Sequence, residues 1–137
     1  MGLTVSGVAS VFGGDGNDKI YGGNNLLVVT LHGDPELGYG DYNDEDGGDD
    51  QIWAGDGGSV LNIIGGQYND KIYAGSDTNT VTSIFGDKQT GGPLVEDPDG
   101  FNKFDGDDVI EVGDNNATVQ VFGQGGNDKI IGGVGQF

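Results

Sequence analysis

Apolar residues recur along this chain in two sets of short alternating runs. In the first set an apolar residue stands between polar or aromatic neighbours, as in KIY at 19–21 and QIW at 51–53. Alternation with a period of two is the pattern of a β-strand with one buried face. The central residues of these runs are Ile20, Ile52, Ile72, Ile110 and Ile130. In the second set, a large apolar residue lies just before each of five glycine-containing turns, at Val11, Leu31, Ile63, Ile84 and Val121.

Both sets repeat together, and their spacing indicates a solenoid. When two interruptions are removed, the period is about 20 residues. A fixed period of this size is typical of stacked coils, each of which buries its apolar side against its neighbours. We therefore predict an all-β fold, a parallel β-solenoid of about five stacked coils of about 20 residues, whose core is two facing apolar ladders. The predicted coils are 11–30, 31–62, 63–83, 84–120 and 121 to the end.

The two interruptions fall at equivalent points, in coils two and four. We predict one domain over residues 1–137, with inserted loops at about 35–45 and 88–104. Insertions at one place in a solenoid lie on one face, which is often the binding face. These loops are either solvated decorations or a surface for recognition of a ligand or partner.

Five glycine-rich turns, each ending in aspartate, precede the isoleucine runs. Three are continuous: GGDGNDKIYGG from Gly13, GGQYNDKIYAG from Gly65 and GQGGNDKIIGG from Gly123. Two are interrupted, since Gly33-Asp34 resumes as DGGDDQIWAG from Asp46 and Gly86-Asp87 resumes as DGDDVIEVG from Asp105. Stacking brings the five final aspartates into one column, which is unfavourable unless a cation lies among them. Carboxylate and carbonyl oxygens on flexible turns suit calcium better than magnesium.

The predicted calcium ligands are residues of these turns that offer a carboxylate, an amide or a main-chain carbonyl oxygen. They are Gly13, Asp15, Asn17, Asp18, Asp34, Gly47, Asp49, Asp50, Gly65, Gln67, Asn69, Asp70, Asp87, Asp105, Asp107, Asp108, Gly123, Gly125, Asn127 and Asp128. Because the apolar core is thin, we expect metal binding to supply much of the folding free energy and the metal-free chain to be largely unfolded.

The turns resemble the nonapeptide repeats of RTX proteins, G-G-x-G-x-D-x-U-x, where U is a large apolar residue. The resemblance covers roughly residues 11–133. It implies a parallel β-roll that binds calcium between successive turns. RTX rolls of the standard type carry such turns on both sides of the coil. Here the second half of each coil lacks the full motif, reading Asn24-Asn25, Asp56-Gly57-Gly58, Asp77-Thr78-Asn79 or Asp114-Asn115-Asn116. The chain is therefore more similar to the one-sided rolls of some RTX adhesins, and we expect about four calcium ions in one column.

Composition narrows the classes of partner. The formal net charge is -18, and of the 23 acidic residues 19 are aspartate, the residue expected of short-armed ligands in turns. Such a charge argues against nucleic acids and anionic membranes as partners, because the electrostatic term would be repulsive. No apolar run approaches the length of a membrane span. Calcium turns of modest affinity fit an extracellular or cell-surface setting.

These observations favour a non-catalytic calcium-binding module over an enzyme, since no nucleophile, base and orienting group occur at usable spacing. Two alternatives remain open. One is a glycan- or surface-binding module of adhesin type, in which the outward residues Tyr21, Trp53 and Tyr73 hold a sugar instead of forming a cross-strand ladder. The other is an accessory module of an exported polysaccharide-modifying enzyme. Uncapped terminal coils further predict either a piece of a longer protein or association with another copy.

Overall fold

The alternating runs form parallel β-strands that wind into two stacked sheets. The computed structural model describes residues 2–4, 8–25, 28–34, 47–58, 60–76, 81–87, 105–116 and 118–135. The predicted inserted loops at 35–45 and 88–104 lie outside the described residues. The strands are β1 (Gly2–Thr4), β2 (Val8–Phe12), β3 (Lys19–Tyr21), β4 (Val28–His32), β5 (Gln51–Trp53), β6 (Val60–Gly66), β7 (Lys71–Tyr73), β8 (Val81–Asp87), β9 (Val109–Glu111), β10 (Thr118–Phe122) and β11 (Lys129–Ile131).

Successive strands alternate between the two sheets, as a β-roll requires. The odd-numbered strands form one sheet in the order β1-β3-β5-β7-β9-β11, and the even-numbered strands form the other in the order β2-β4-β6-β8-β10. Every pairing between neighbouring strands is parallel. The predicted all-β parallel roll is confirmed. The sequence did not predict β1, which pairs with β3 and adds a strand before coil one.

The core contains the two predicted ladders, together with Ala54, Ala74 and Val112. Ile20, Ile52, Ile72, Ile110 and Ile130 are register partners along the odd sheet. Val11, Leu31, Ile63, Ile84 and Val121 are register partners along the even sheet. The middle members are fully enclosed, with Ile52, Ile63 and Ile72 each 0% exposed. Ile130, in the last coil, is 49% exposed. Each coil is therefore covered by its neighbours, as expected of a solenoid.

Candidate calcium centre

The turns that lead from the even sheet into the odd sheet are here called the acidic turns. Each has six positions, which in coil one run from Gly13 to Asp18. In coils two and four the turn is divided by an inserted segment, so positions one and two precede the insertion and positions three to six follow it. The last position is the aspartate column, formed by Asp18, Asp50, Asp70, Asp108 and Asp128.

Main-chain hydrogen bonds fix the aspartate column. The N–H of each column aspartate donates to Oδ1 of the column aspartate in the next coil. These bonds run from Asp18 to Asp50 (2.7 Å), from Asp50 to Asp70 (2.8 Å), from Asp70 to Asp108 (2.8 Å) and from Asp108 to Asp128 (3.0 Å). Each carboxylate is thus held at one position along the stack, which confirms the predicted alignment of these residues.

The second carboxylate oxygen of the inner column members has no hydrogen-bond partner. Oδ2 of Asp50, Asp70 and Asp108 is buried and accepts no hydrogen bond, and each of these residues is 1% exposed. A buried polar atom left without a partner is costly, and a buried charge far more so. Three such atoms at one repeated position indicate a place where a cation or a proton would remove this cost.

Glycine at position one makes room for these oxygens. A methyl group added to Gly33 would overlap the carboxylate of Asp50 and the carbonyl oxygen of Gly65 in the next coil. Methyl groups at Gly65 and Gly86 would meet the corresponding pairs, Asp70 with the Gly86 carbonyl and Asp108 with the Gly123 carbonyl. The space beside each of these three glycines is therefore lined by a carboxylate oxygen and a carbonyl oxygen. The ligand list from the sequence omitted Gly33 and Gly86, which aligning the interrupted turns with the continuous ones would have included.

Burial changes the protonation of the inner column. It raises the pKa of Asp50 and Asp108 from the ordinary 3.8 to about 7 and the pKa of Asp70 to about 10. The hydrogen bond from the preceding coil lowers each pKa in part, and neighbouring carboxylates raise it further. Without a metal, the folded column must bind protons or bear uncompensated charge.

These residues fit calcium. Among the described residues, no three His, Cys, Asp or Glu side chains converge on one point. An ion in a gap between coils would therefore draw on one or two carboxylates and complete its shell with main-chain carbonyl oxygens and water. Calcium accepts six to eight oxygen ligands in flexible geometry, including backbone carbonyls, whereas magnesium demands a tight octahedron. The glycine-rich turns supply such carbonyls.

The remaining predicted ligands occupy other positions of the acidic turns. Position five forms an exposed outer ladder of alternating amides and carboxylates, Asn17, Asp49, Asn69, Asp107 and Asn127. Each oxygen of this ladder accepts the N–H of the next member, at 2.7–3.1 Å. Position three is held by Asp15, Gly47, Gln67, Asp105 and Gly125, and of these Asp15 is exposed. The structure therefore separates the outer ladder, whose side chains face water, from the buried column.

In the turns on the other side of the roll, described polar side chains accept main-chain hydrogen bonds from the next coil. Oδ1 of Asp56 accepts the Ser76 N–H (2.8 Å), and Oδ1 of Asp114 accepts the Val134 N–H (2.7 Å). The side-chain oxygens of Asn24 and Ser76 accept equivalent bonds from the next coil. Asp56 and Asp114 are exposed to water. Within the described residues, the buried carboxylate oxygens without partners all belong to the acidic turns.

Aromatic side chains on the odd sheet stack on one another. The rings of Tyr21 and Trp53 are nearly parallel with centroids 4.7 Å apart, and those of Trp53 and Tyr73 are nearly parallel at 5.4 Å. Rings lying side by side in one plane would overlap at their edges at these centroid distances. The rings therefore lie face to face. The contacts cover both faces of the Trp53 ring and one face of each tyrosine ring. This geometry is that of a cross-strand ladder.

Comparison with known protein families agrees with the geometry of the turns. A model described as the RTX calcium-binding nonapeptide repeat matches four copies, within residues 6–25, 62–83 and 120–136. The chain carries RTX calcium-binding repeats. The matched segments include the acidic turns of coils one, three and five, the three that no insertion divides. RTX repeats bind calcium, and their presence supports a calcium-binding β-roll module. Searches of curated proteins and of solved structures found no significant match.

No helix long and apolar enough to cross a membrane occurs in the part of the chain that the structure describes.

Proposed function

We propose that this chain is a non-catalytic module of a secreted or cell-surface protein, and that it folds as calcium fills the aspartate column. The observation that carries this proposal is the set of buried Oδ2 atoms of Asp50, Asp70 and Asp108, which have no partner in the protein. Burying them as carboxylates is unfavourable without a cation, so calcium binding and folding are coupled. The module would then remain unfolded where calcium is scarce and fold where it is abundant.

The proposed ions occupy the gaps between successive acidic turns. Five column aspartates border four gaps, so about four ions would form a single column, with none in the turns on the other side of the roll. Asp56 and Asp114 support this one-sided arrangement, because both accept main-chain hydrogen bonds and face water. A location outside the cell fits a module with such sites, because extracellular calcium modules bind in the range of 10⁻⁴–10⁻³ M.

Equilibrium dialysis against calcium tests the number and place of the ions. We expect about four calcium ions per chain and weak replacement by magnesium at equal concentration. The double variant Asp50→Asn with Asp70→Asn should bind fewer ions. Its matched control, Asp56→Asn with Asp114→Asn on the other side of the roll, should bind the full number. No bound calcium, or equal losses in the two double variants, would contradict the proposal.

A further inference from the structure

The second position of the acidic turns differs from coil to coil. It is glycine in coils one and three but aspartate in coils two and four, at Asp34 and Asp87. Both aspartates directly precede an inserted segment. Oδ1 of Asp34 accepts the N–H of Gly48 (3.2 Å), and Oδ1 of Asp87 accepts the N–H of Gly106 (2.8 Å). Each carboxylate thus joins the two sides of the insertion, and the coil continues as if it were uninterrupted.

The second oxygens of these two carboxylates differ. Oδ2 of Asp34 accepts the N–H of Gln67 in coil three (2.5 Å). Oδ2 of Asp87 is buried without a hydrogen-bond partner, and Asp87 is 2% exposed. Two residues at equivalent positions therefore have different surroundings, and Asp87 alone of the pair has a carboxylate oxygen that the protein does not satisfy.

The residue at position three explains the difference. In coil two this residue is Gly47, which has no side chain and leaves Asp34 space to reach coil three. In coil four it is Asp105, whose carboxylate lies directly against Gly125 in coil five. Asp105 thus occupies the place next to coil five that Asp34 occupies next to coil three.

Several carboxylates surround Asp87. Burial is the main cause that raises the pKa of Asp87, to about 8, and the nearby carboxylates of Asp108, Asp105 and Asp128 raise it further. Oδ2 of Asp108 also lacks a partner, and it lies beside Gly86, the residue that precedes Asp87. The carbonyl oxygen of Gly123 lies beside the same glycine.

The gap between coils four and five is therefore richer in charge than a regular gap. The carboxylates that raise the pKa of Asp87 all belong to coils four and five, so Asp87 faces this gap, whereas the coil-four carboxylate that raises the pKa of Asp70 in coil three is that of Asp108. In calcium sites, affinity is tuned by the number of charged ligands and by the rigidity of the site. Asp87 adds a charge to this gap, and its hydrogen bond to Gly106 fixes its position.

We propose that Asp87 is a calcium ligand of the gap between coils four and five, with Asp108 and the Gly123 carbonyl, and that this gap holds the most tightly bound ion. Asp87 lies outside the repeating column, so the ligand is specific to the interrupted turn of coil four. The proposal rests on the proposed calcium-dependent folding of the roll. It predicts two classes of calcium site in one chain.

Calcium binding to variants of Asp87 tests this proposal. Isothermal titration of the whole chain with calcium should resolve a tightest site. Asp87→Asn should weaken that site roughly tenfold or more or abolish it. Asp56→Asn, in an exposed turn on the other side of the roll, is the control and should leave the tightest affinity and the number of ions unchanged, because Asp56 lies outside the acidic turns and asparagine keeps an oxygen that can accept the Ser76 N–H. Asp87→Gly installs the residue found at this position in coils one and three and should give the same loss as Asp87→Asn.

The outcomes separate this proposal from the proposed function. If the unaltered chain binds no calcium, both are wrong. If it binds calcium and the Asp87 variants keep the tightest site, only the Asp87 ligand is wrong. Far-ultraviolet circular dichroism in saturating calcium shows whether each variant folds. Failure of both Asp87 variants to fold there would assign Asp87 a purely structural role and overturn the proposal as well.

Discussion

Replacing Asp70 by asparagine should have opposite effects on the roll with and without calcium. Asp70 lies in the middle coil, is 1% exposed and borders two gaps of the column. Asparagine retains Oδ1 as an acceptor for the Asp50 N–H. It replaces the second carboxylate oxygen, which lies near the Gly86 carbonyl, with an amide group that can donate. The substitution therefore removes a negative charge from the column at little change in shape.

In the metal-free protein this change should be stabilising. The pKa of Asp70 rises from 3.8 to about 10 in the folded chain, so at pH 7 folding requires this carboxyl to take up a proton. At about 1.4 kcal/mol per pH unit, the roughly three units between 3.8 and pH 7 correspond to about 4 kcal/mol. Asparagine has no such cost, so Asp70→Asn should stabilise the metal-free roll by about 2–4 kcal/mol.

With calcium the sign should reverse. An ion at a hundred times its dissociation constant stabilises the folded state by about 2.7 kcal/mol. Asp70 borders two gaps, so its loss should remove up to about 5 kcal/mol of stabilisation at that calcium concentration. This loss exceeds the gain expected in the metal-free chain, and the calcium-loaded variant should be less stable than the unaltered chain.

Two titrations followed by circular dichroism measure these effects. In excess chelator, a stabilising osmolyte such as trimethylamine oxide should fold Asp70→Asn at a lower concentration than the unaltered chain. In calcium, urea should unfold the variant earlier. Asp56→Asn is the control, because Asp56 makes the same kind of hydrogen bond in an exposed turn. A shift of Asp70→Asn in the same direction under both conditions would refute the reasoning.

Three further predictions follow from the core, the glycines and the buried carboxyls. Ile72→Ala should lower the free energy of unfolding in calcium by about 2–5 kcal/mol. Ile130→Ala, at the half-exposed end of the same ladder, should lower it clearly less. Equal decreases of this free energy, measured by urea unfolding, would contradict the stacked core. Gly33→Ala should destabilise the folded roll by about 1–3 kcal/mol or more. Gly132→Ala should change the stability of the roll little, because Gly132 has open space around it. Similar thermal midpoints for the two variants would argue against the crowded turn. Acid should partly replace calcium as the stabiliser of the fold. The pKa of the inner column aspartates is higher in the folded chain than in the unfolded chain, so protonation stabilises the metal-free roll. This stabilisation is complete below about pH 4 and is lost as the pH rises through 7–10. Circular dichroism in chelator that shows less β-structure at pH 4.5 than at pH 8 would contradict the prediction that acid replaces calcium.

Much of the fold was predictable because the chain repeats itself. A side chain at a fixed place in the period meets its own equivalents in a parallel stack, so the ladders of Ile72 and Ile63 and the column of Asp70 follow from counting residues. No long-range pairing had to be guessed once the two interruptions were removed. The strand β1 was missed because a single three-residue strand has no period to reveal it.

The candidate site was less fully predictable, since similar residues at different positions have different surroundings. Asp50 and Asp49 are adjacent in the sequence, yet the structure buries one in the column and exposes the other in the outer ladder. Asp34 and Asp87 hold equivalent positions, but only the structure shows that Asp105 leaves Asp87 with a buried oxygen lacking a partner. Burial and hydrogen bonding decide which carboxylates need a cation, and neither can be read from spacing.

The far-ultraviolet circular dichroism of the unaltered chain, recorded at pH 8 in excess chelator and then during a calcium titration, tests most directly whether calcium folds this roll. We predict a largely unfolded spectrum in chelator and a cooperative gain of β-structure as calcium is added, with magnesium a poor substitute. A complete β-sheet spectrum in chelator that calcium leaves unchanged would contradict it.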